Sequence, residues 1–336
     1  MRGFIGWDAF GAEQGWRAEP LPEGAPGLML TGPVAAAPAP FSAAVPSWVA
    51  STPPASWIEL QLRAGAGERW TAFYRVAQWD DLPAGSRRTS FGPQRDADGF
   101  VATDTLILSA PAERAQARVL LYGAPPPTLH RLALALSGPG APAAAGALPA
   151  LELAVPPRAQ LDYPDGPNIC SPTSVSMALA YWQARTGDPQ LAPFAERRAV
   201  AKIATPRVYD PAYDGHGNWS FNTAFAGSLG LDAAVARFGS LAELVPWLQA
   251  GVPVIVSVAW RAGELANAPI PASRGHLLVL AGFDTGGRAI VADPRGDTEA
   301  EVRRLYDAAE LERAWQANSD GTVYLIYPRG WQVPAL

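Results

Sequence analysis

The chain has 336 residues, of which 49% are apolar and 17% charged, and its formal net charge is −5. This length is typical of about two domains, and the composition excludes disorder. The negative charge removes the simple electrostatic argument for binding nucleic acid. No run approaches the roughly 20 apolar residues that a membrane-spanning helix needs. The sequence therefore predicts neither a nucleic-acid partner nor a membrane span.

The cellular compartment is not readable from the residues alone. Residues 1–11 lack the basic start and the apolar stretch of a signal peptide. Cys170 is the single cysteine, so an internal disulfide cannot form. Cysteine usage therefore does not indicate whether the protein works in an oxidising or a reducing compartment.

The first half of the chain has the pattern of β-strands. Residues 57–63 alternate, with Ile58, Leu60 and Leu62 on one face, as in a half-buried strand. Similar patterns separated by Gly/Pro/Asp clusters occur at 70–79, 101–108, 117–123 and 129–137. This spacing predicts an all-β sandwich or jelly-roll-like accessory domain over residues 1–137. The first 40 residues, rich in Pro, Ala and Gly, are predicted to form an arm over it.

Residues 138–150 are almost entirely Gly, Pro and Ala and carry no charge, which is typical of a linker. The pattern changes over residues 151–336. Helices are predicted at 172–185, 193–203, 219–229, 241–250 and 308–317. Strands rich in Val, Ile and Leu are predicted at 252–260, 276–283, 288–292 and 322–327. Helices followed by strands indicate an α+β domain.

Cys170 lies in the stretch NICSPTS at 168–174, directly before a predicted amphipathic helix. A thiol at a helix N-terminus faces unpaired N–H groups and the positive end of the helix dipole, both of which stabilise the thiolate. Pro172 suits the first helical turn. Cys170 is therefore a candidate nucleophile, and the alternative is a buried structural thiol.

A cysteine nucleophile needs a base, and the base needs an orienting group. His276 opens a predicted strand after a Gly-containing loop. Asp293 ends the next strand, 17 residues later, and the turn at Gly286-Gly287 would bring it alongside His276. Asp293 would then hold the imidazole tautomer. The alternatives are a local hydrogen bond for the histidine and a turn role for the aspartate.

Other residues are candidates for secondary roles. The side-chain amide of Gln160 and the backbone N–H of Cys170 are candidate oxyanion donors. His216, Asn218 and Trp219, in a loop leading to a helix, are candidate substrate-binding residues. The separations between Cys170, His216 and His276 match no short zinc-ligand spacing, so neither a metal nor a cofactor is predicted.

These residues together resemble the peptidase C39-like family of papain-fold cysteine peptidases. The resemblance rests on Gln160, the NICSPTS stretch, Gly275-His276 and Asp293-Pro294, and it covers about residues 155–328. Matches at 217–224, 251–257 and 314–315 are similar to its soluble, two-domain branch. The chain departs from the transporter-linked members because it has no membrane segment and no P-loop.

The resemblance implies a papain-like α+β domain with Cys170 as nucleophile, His276 as general base and acid, Asp293 as orienting residue and Gln160 in the oxyanion hole. It also implies a secreted or cell-envelope location. The predicted function is hydrolysis of a peptide or amide bond in a peptide, a protein or a cell-envelope polymer. Two alternatives stay open: an acyltransferase that uses the same site, and a non-catalytic binding protein on a peptidase scaffold.

Overall fold

A computed structural model describes residues 2–82, 87–92, 94–138 and 146–336. Within these residues the chain forms two antiparallel β-sheets, one in each half. Most of the predicted linker at 138–150 lies outside the described residues. None of the helices in the described ranges is long and apolar enough to cross a membrane.

The first sheet spans residues 3–137. Its described strands are β1 (Gly3–Trp7), β2 (Arg17–Pro20), β3 (Gly27–Thr31), β4 (Ala35–Ser51), β5 (Trp57–Ala66), β6 (Arg69–Trp70), β7 (Tyr74–Trp79), β8 (Thr89–Ser90), β9 (Gly99–Ala102), β10 (Thr105–Tyr122) and β11 (Thr128–Ser137). The main path runs β1-β11-β4-β10-β5-β7-β8, with the other strands paired at its sides. The long strand β4 pairs with β10 and β11, and β10 also pairs with β3, β5 and β9. Buried side chains of both strands contribute to the core.

The β-rich prediction for this half agrees with the structure, but several details were wrong. Residues 70–79 are divided between β6 and β7, and β10 continues through residues 109–116, between two predicted strands. The first 40 residues are not an arm, because β1 pairs with β11 and β3 with β10, while β4 lies inside the sheet. Alanine and proline are poor strand formers, so the composition of β4 does not indicate a strand, although Phe41 and Trp48 in it are buried. Residues 101–108 are two strands, β9 and β10, joined by a turn at Thr103 and Asp104. The sandwich arrangement stays a prediction.

The second sheet follows the order β13-β18-β14-β15-β16-β17, with β12 paired to β15. Its described strands are β12 (Leu151–Glu152), β13 (Leu231–Arg237), β14 (Val254–Trp260), β15 (Ser273–Phe283), β16 (Ala289–Ala292), β17 (Arg303–Tyr306) and β18 (Thr322–Pro328). The α-helices are α1 (Cys170–Thr186), α2 (Thr205–Val208), α3 (Trp219–Ser228), α4 (Val245–Gln249) and α5 (Ala308–Ser319).

Helix α1 is a core helix rather than the amphipathic helix that was predicted. Every residue from 171 to 182 is buried, as expected of a helix surrounded by protein. Its hydroxyl groups remain satisfied: Thr173 donates to the carbonyl of Ile169, and Ser174 donates to that of Leu277. The helix ends at Gly187, whose φ of 68° gives the left-handed C-cap.

Two predicted helices are interrupted. Residues 193–203 contain a 3₁₀ turn (Ala192–Ala195) and a π-helical turn (Val200–Ala204) before α2, and residues 241–250 contain a 3₁₀ turn (Leu241–Leu244) before α4. In both cases a proline lies in the first turn of the following α-helix, Pro206 in α2 and Pro246 in α4. Proline removes the N–H that a continuous helix would use, so α2 and α4 each begin as a new helix there. The break within 193–203 lies earlier, at residues 196–198.

The two halves share their cores. Helix α3 packs against β4, and Phe221 of α3 contacts Trp48 of β4 edge to face, with ring centroids 6.2 Å apart. In the other direction, Val45 and Ala135 of the first sheet belong to the core of the second half. The first sheet is therefore a packing support for the second half.

Candidate active site

Cys170 is the first residue of α1 and is partly buried. Burial raises the pKa of its thiol, but the His276 side chain, through hydrogen bonding and charge, and the backbone N–H of Leu277 lower it more, so the net pKa lies below its usual value. The site therefore favours the thiolate.

His276 and Asp293 come together through the β15–β16 hairpin, in which Val279 pairs with Ala292. His276 Nε2 lies 2.7 Å from Asp293 Oδ1 and donates to it, so Nδ1 is the ring nitrogen left for Cys170. Both side chains are buried. The sequence interpretation placed these two residues side by side for the same reason, the short hairpin.

Asp293 is held by more than the histidine. The hydroxyl of Tyr306 donates to Asp293 Oδ2 at 2.6 Å, and the backbone N–H of Arg295 donates to Oδ1 at 2.8 Å. Burial raises the pKa of Asp293, but the charge of His276 and these hydrogen bonds lower it more, so its pKa falls below the usual value. The carboxylate is thus fixed in position and ionised.

The pKa of His276 moves in the opposite direction. Burial lowers it, but the charge and hydrogen bond of Asp293 and the contact with Cys170 raise it to about 10. A lowered thiol pKa and a raised imidazole pKa favour a thiolate–imidazolium pair at neutral pH. The indole of Trp260 lies edge to face with the imidazole, 5.7 Å between centroids, and covers it.

Gln160 lies in a 3₁₀ turn and is buried. Its backbone N–H donates to the carbonyl of Pro294 at 2.7 Å, and its side-chain N–H donates to that of Gly166 at 2.6 Å. Gln160 is therefore bonded both to Pro294, which follows Asp293, and to Gly166, which lies shortly before Cys170. The side-chain amide of Gln160 has a second N–H as well.

The three predicted substrate-binding residues divide into two groups. His216 and Trp219 line the cleft beside Cys170. Asn218 is buried instead: its side chain accepts from the N–H of Phe221 as the N-cap of α3, and donates to Asp210 at 3.0 Å. Its position assigns it a structural role.

The cleft has a volume of about 710 Å³ and is lined by both halves of the chain, which is within the usual range for ligand sites. Cys170, Tyr213, His216 and Arg274 come from the second half, and the turn 102–105 comes from the first sheet. The sequence interpretation missed this first-sheet wall, as it missed Tyr306 and Trp260. No described group of three or more His, Cys, Asp or Glu side chains could hold a metal ion.

Residues 152–323 match the model of the Peptidase_C39 like family. The chain belongs to this family. The sequence resemblance is thereby confirmed, and residues 28–137 match a second model, the Peptidase C39 N-terminal domain. The C39-like region contains Cys170, His276 and Asp293.

Among solved structures, the chain is similar to a protein described as a C39-like peptidase from Bacillus anthracis. The two share 18% identity at a TM-score of 0.34, over 51% of this chain and 94% of the other. No curated protein matches the chain.

Proposed function

We propose that this C39-like protein is a cysteine peptidase that hydrolyses a peptide bond through an acyl-enzyme on Cys170. The observation that carries the proposal is the buried Asp293–His276 hydrogen bond of 2.7 Å, beside a single thiol whose pKa the same imidazole lowers. A structural cysteine has no need of such a partner. The proposed architecture is a papain-like α+β domain over residues 151–336, with residues 1–137 as an accessory β-domain.

In the first half-reaction, the thiolate attacks the carbonyl carbon, the C–S bond forms and the carbonyl oxygen becomes negative. The backbone N–H of Cys170, in the first turn of α1, and the free side-chain N–H of Gln160 are the proposed donors to that oxygen. The His276 imidazolium then gives its proton to the leaving amine, and the C–N bond breaks.

In the second half-reaction, neutral His276 takes a proton from water, which attacks the thioester. The C–S bond breaks, the carboxylic acid leaves and the thiolate–imidazolium pair returns. Asp293 stays ionised throughout and holds the imidazole with Nδ1 toward the sulfur.

The test is incubation of the protein with a complex peptide mixture, with mass spectrometry of both the peptides and the protein. We expect hydrolysis products, which are peptides with new termini whose masses include one added water, and a thioester adduct on Cys170. Neither the products nor the adduct should form with Cys170→Ala. Glycinamide is added in parallel, because capture of the acyl group by this amine in preference to water would indicate a transferase. No turnover and no adduct would contradict the proposal.

A further inference from the structure

One wall of the cleft beside Cys170 comes from the first sheet. It consists of residues 42–43 of β4, the turn 102–105 between β9 and β10, and residues 107–108 of β10. Any chain bound in this cleft therefore meets the accessory half as well as the catalytic half.

The carboxylate of Asp104 fastens the turn to the catalytic half. Asp104 is only 5% exposed, and its Oδ2 accepts from the backbone N–H of Trp219, the first residue of α3, at 2.5 Å. The hydroxyl of Thr105 donates to Oδ1 at 3.0 Å. A carboxylate at a helix N-terminus is stabilised both by the free N–H groups and by the helix dipole. Helix α3 thus has its own cap, Asn218, and a second one supplied by the first sheet.

The backbone of the turn is strained at the residue that lines the cleft. Thr103 has a φ of 55°, in the left-handed region that a β-branched residue rarely adopts. Such a conformation is unfavourable in itself and persists where the surrounding structure fixes it. Here the Ala102–Thr105 pair and the buried Asp104 fix it, so the turn keeps one geometry at the cleft.

A second set of hydrogen bonds between the halves positions the loop that contains Tyr213 and His216. The buried carboxylate of Asp210 accepts from the backbone N–H of Ser90 in the first sheet and from the Asn218 side chain, each at 3.0 Å. Both the turn and this loop, which line the same cleft, are therefore positioned by contacts between the halves.

The cleft also continues away from the first sheet. Arg274 and Asn318 line both it and a second depression of about 810 Å³, which Trp260 borders. The cleft and this second depression therefore adjoin at Arg274 and Asn318.

We propose that the Thr103–Asp104 turn is a specificity-determining element, which contacts an extended polypeptide substrate on one side of the reacting bond. This inference rests on the proposed peptidase function. The accessory sheet then selects the substrate at the site itself, in addition to supporting α3.

The test compares alkylation of the single thiol by a small reagent and by peptide reagents. Because iodoacetamide is small, its rate measures the reactivity of the Cys170 thiol, which His276 controls, and not contacts with the walls of the cleft. N-iodoacetyl-pentaalanine amide and acetyl-pentaalanine chloromethyl ketone extend a peptide from the sulfur in the two opposite directions. The variant is Ala102→Phe, at an exposed residue that lines the cleft; the matched control is Ala110→Phe, an exposed alanine of the same sheet that does not line it.

We expect Ala102→Phe to slow at least one peptide reagent tenfold or more, with the iodoacetamide rate within twofold of wild type, and Ala110→Phe to change none of the three. If Ala102→Phe does not fold by circular dichroism, Thr103→Gly replaces it, since glycine accepts the positive φ. That variant is expected to change a peptide-reagent rate at least threefold and to leave iodoacetamide unchanged.

The inference would be overturned if the folded variant, Ala102→Phe or its replacement Thr103→Gly, were alkylated by both peptide reagents at the wild-type rates. Failure of the peptidase proposal gives a different result, a slow iodoacetamide reaction in the wild-type protein itself.

Discussion

Removal of the Tyr306 hydroxyl should disturb the catalytic candidates Cys170, His276 and Asp293 although none of the three is itself substituted. Tyr306 is fully buried, and its hydroxyl donates to Asp293 Oδ2 at 2.6 Å. A hydrogen bond to a charged group contributes about 1.5–3 kcal/mol. Tyr306→Phe should therefore lower the free energy of unfolding by about that amount at neutral pH, as measured by urea denaturation.

The same change should alter the ionisation of the site. With one hydrogen-bond donor fewer, the pKa of Asp293 rises and its carboxylate stabilises the His276 imidazolium less. The pKa of Cys170 therefore moves up toward its usual value. The pH dependence of iodoacetamide alkylation measures this shift directly.

Tyr181→Phe is the matched control. The Tyr181 hydroxyl is also buried but donates to a neutral group, the carbonyl of Gly251, at 2.9 Å. A neutral hydrogen bond contributes about 0.5–1.5 kcal/mol, so the loss of stability should be smaller and the alkylation profile unchanged. Equal losses in the two variants, together with a wild-type alkylation profile in Tyr306→Phe, would show that the Tyr306 hydroxyl does not control the ionisation of Asp293.

Two further predictions concern the contact between the halves. Burial raises the pKa of Asp104 from 3.8 to about 6, so the folded protein binds this proton more tightly than the unfolded chain does. The wild type should therefore lose stability relative to Asp104→Asn as the pH rises from about 4 to about 6, by up to about 3 kcal/mol in urea titrations; a constant difference would contradict this. A Cβ on Gly227 of α3 would lie 2.9 Å from Val49 Cγ2 of β4. Gly227→Ala should therefore destabilise by about 1–3 kcal/mol, and a double-mutant cycle with Val49→Ala should give at least about 0.5 kcal/mol of coupling, whereas additive effects would count against the shared core.

Local patterns predicted the elements that carry the catalytic candidates. The thiol at the start of a helix, the histidine at a strand start and the short hairpin to Asp293 all depend on neighbouring residues. For that reason the sequence indicated their arrangement in advance. The family followed from the same residues.

Long-range contacts were not predictable in this way. Nothing in β17 marks Tyr306 as a partner of Asp293, because the contact depends on strand register across the sheet. The Thr103–Asp104 turn lies 115 residues from Trp219, the residue whose backbone it binds. Strand β4 was missed because tertiary packing overrides the weak strand propensity of its alanines and prolines.

The most direct test of the central claim is the alkylation rate of Cys170 as a function of pH. It is measured in the wild type, in His276→Ala, and in His130→Ala as a control, since His130 lies in the first sheet and contacts Ser51. We expect rapid reaction with an apparent pKa below about 8.5, a clear upward shift in His276→Ala and no shift in His130→Ala. A slow reaction that titrates near or above about 8.5 in all three proteins would contradict the thiolate–imidazolium pair and the peptidase proposal with it.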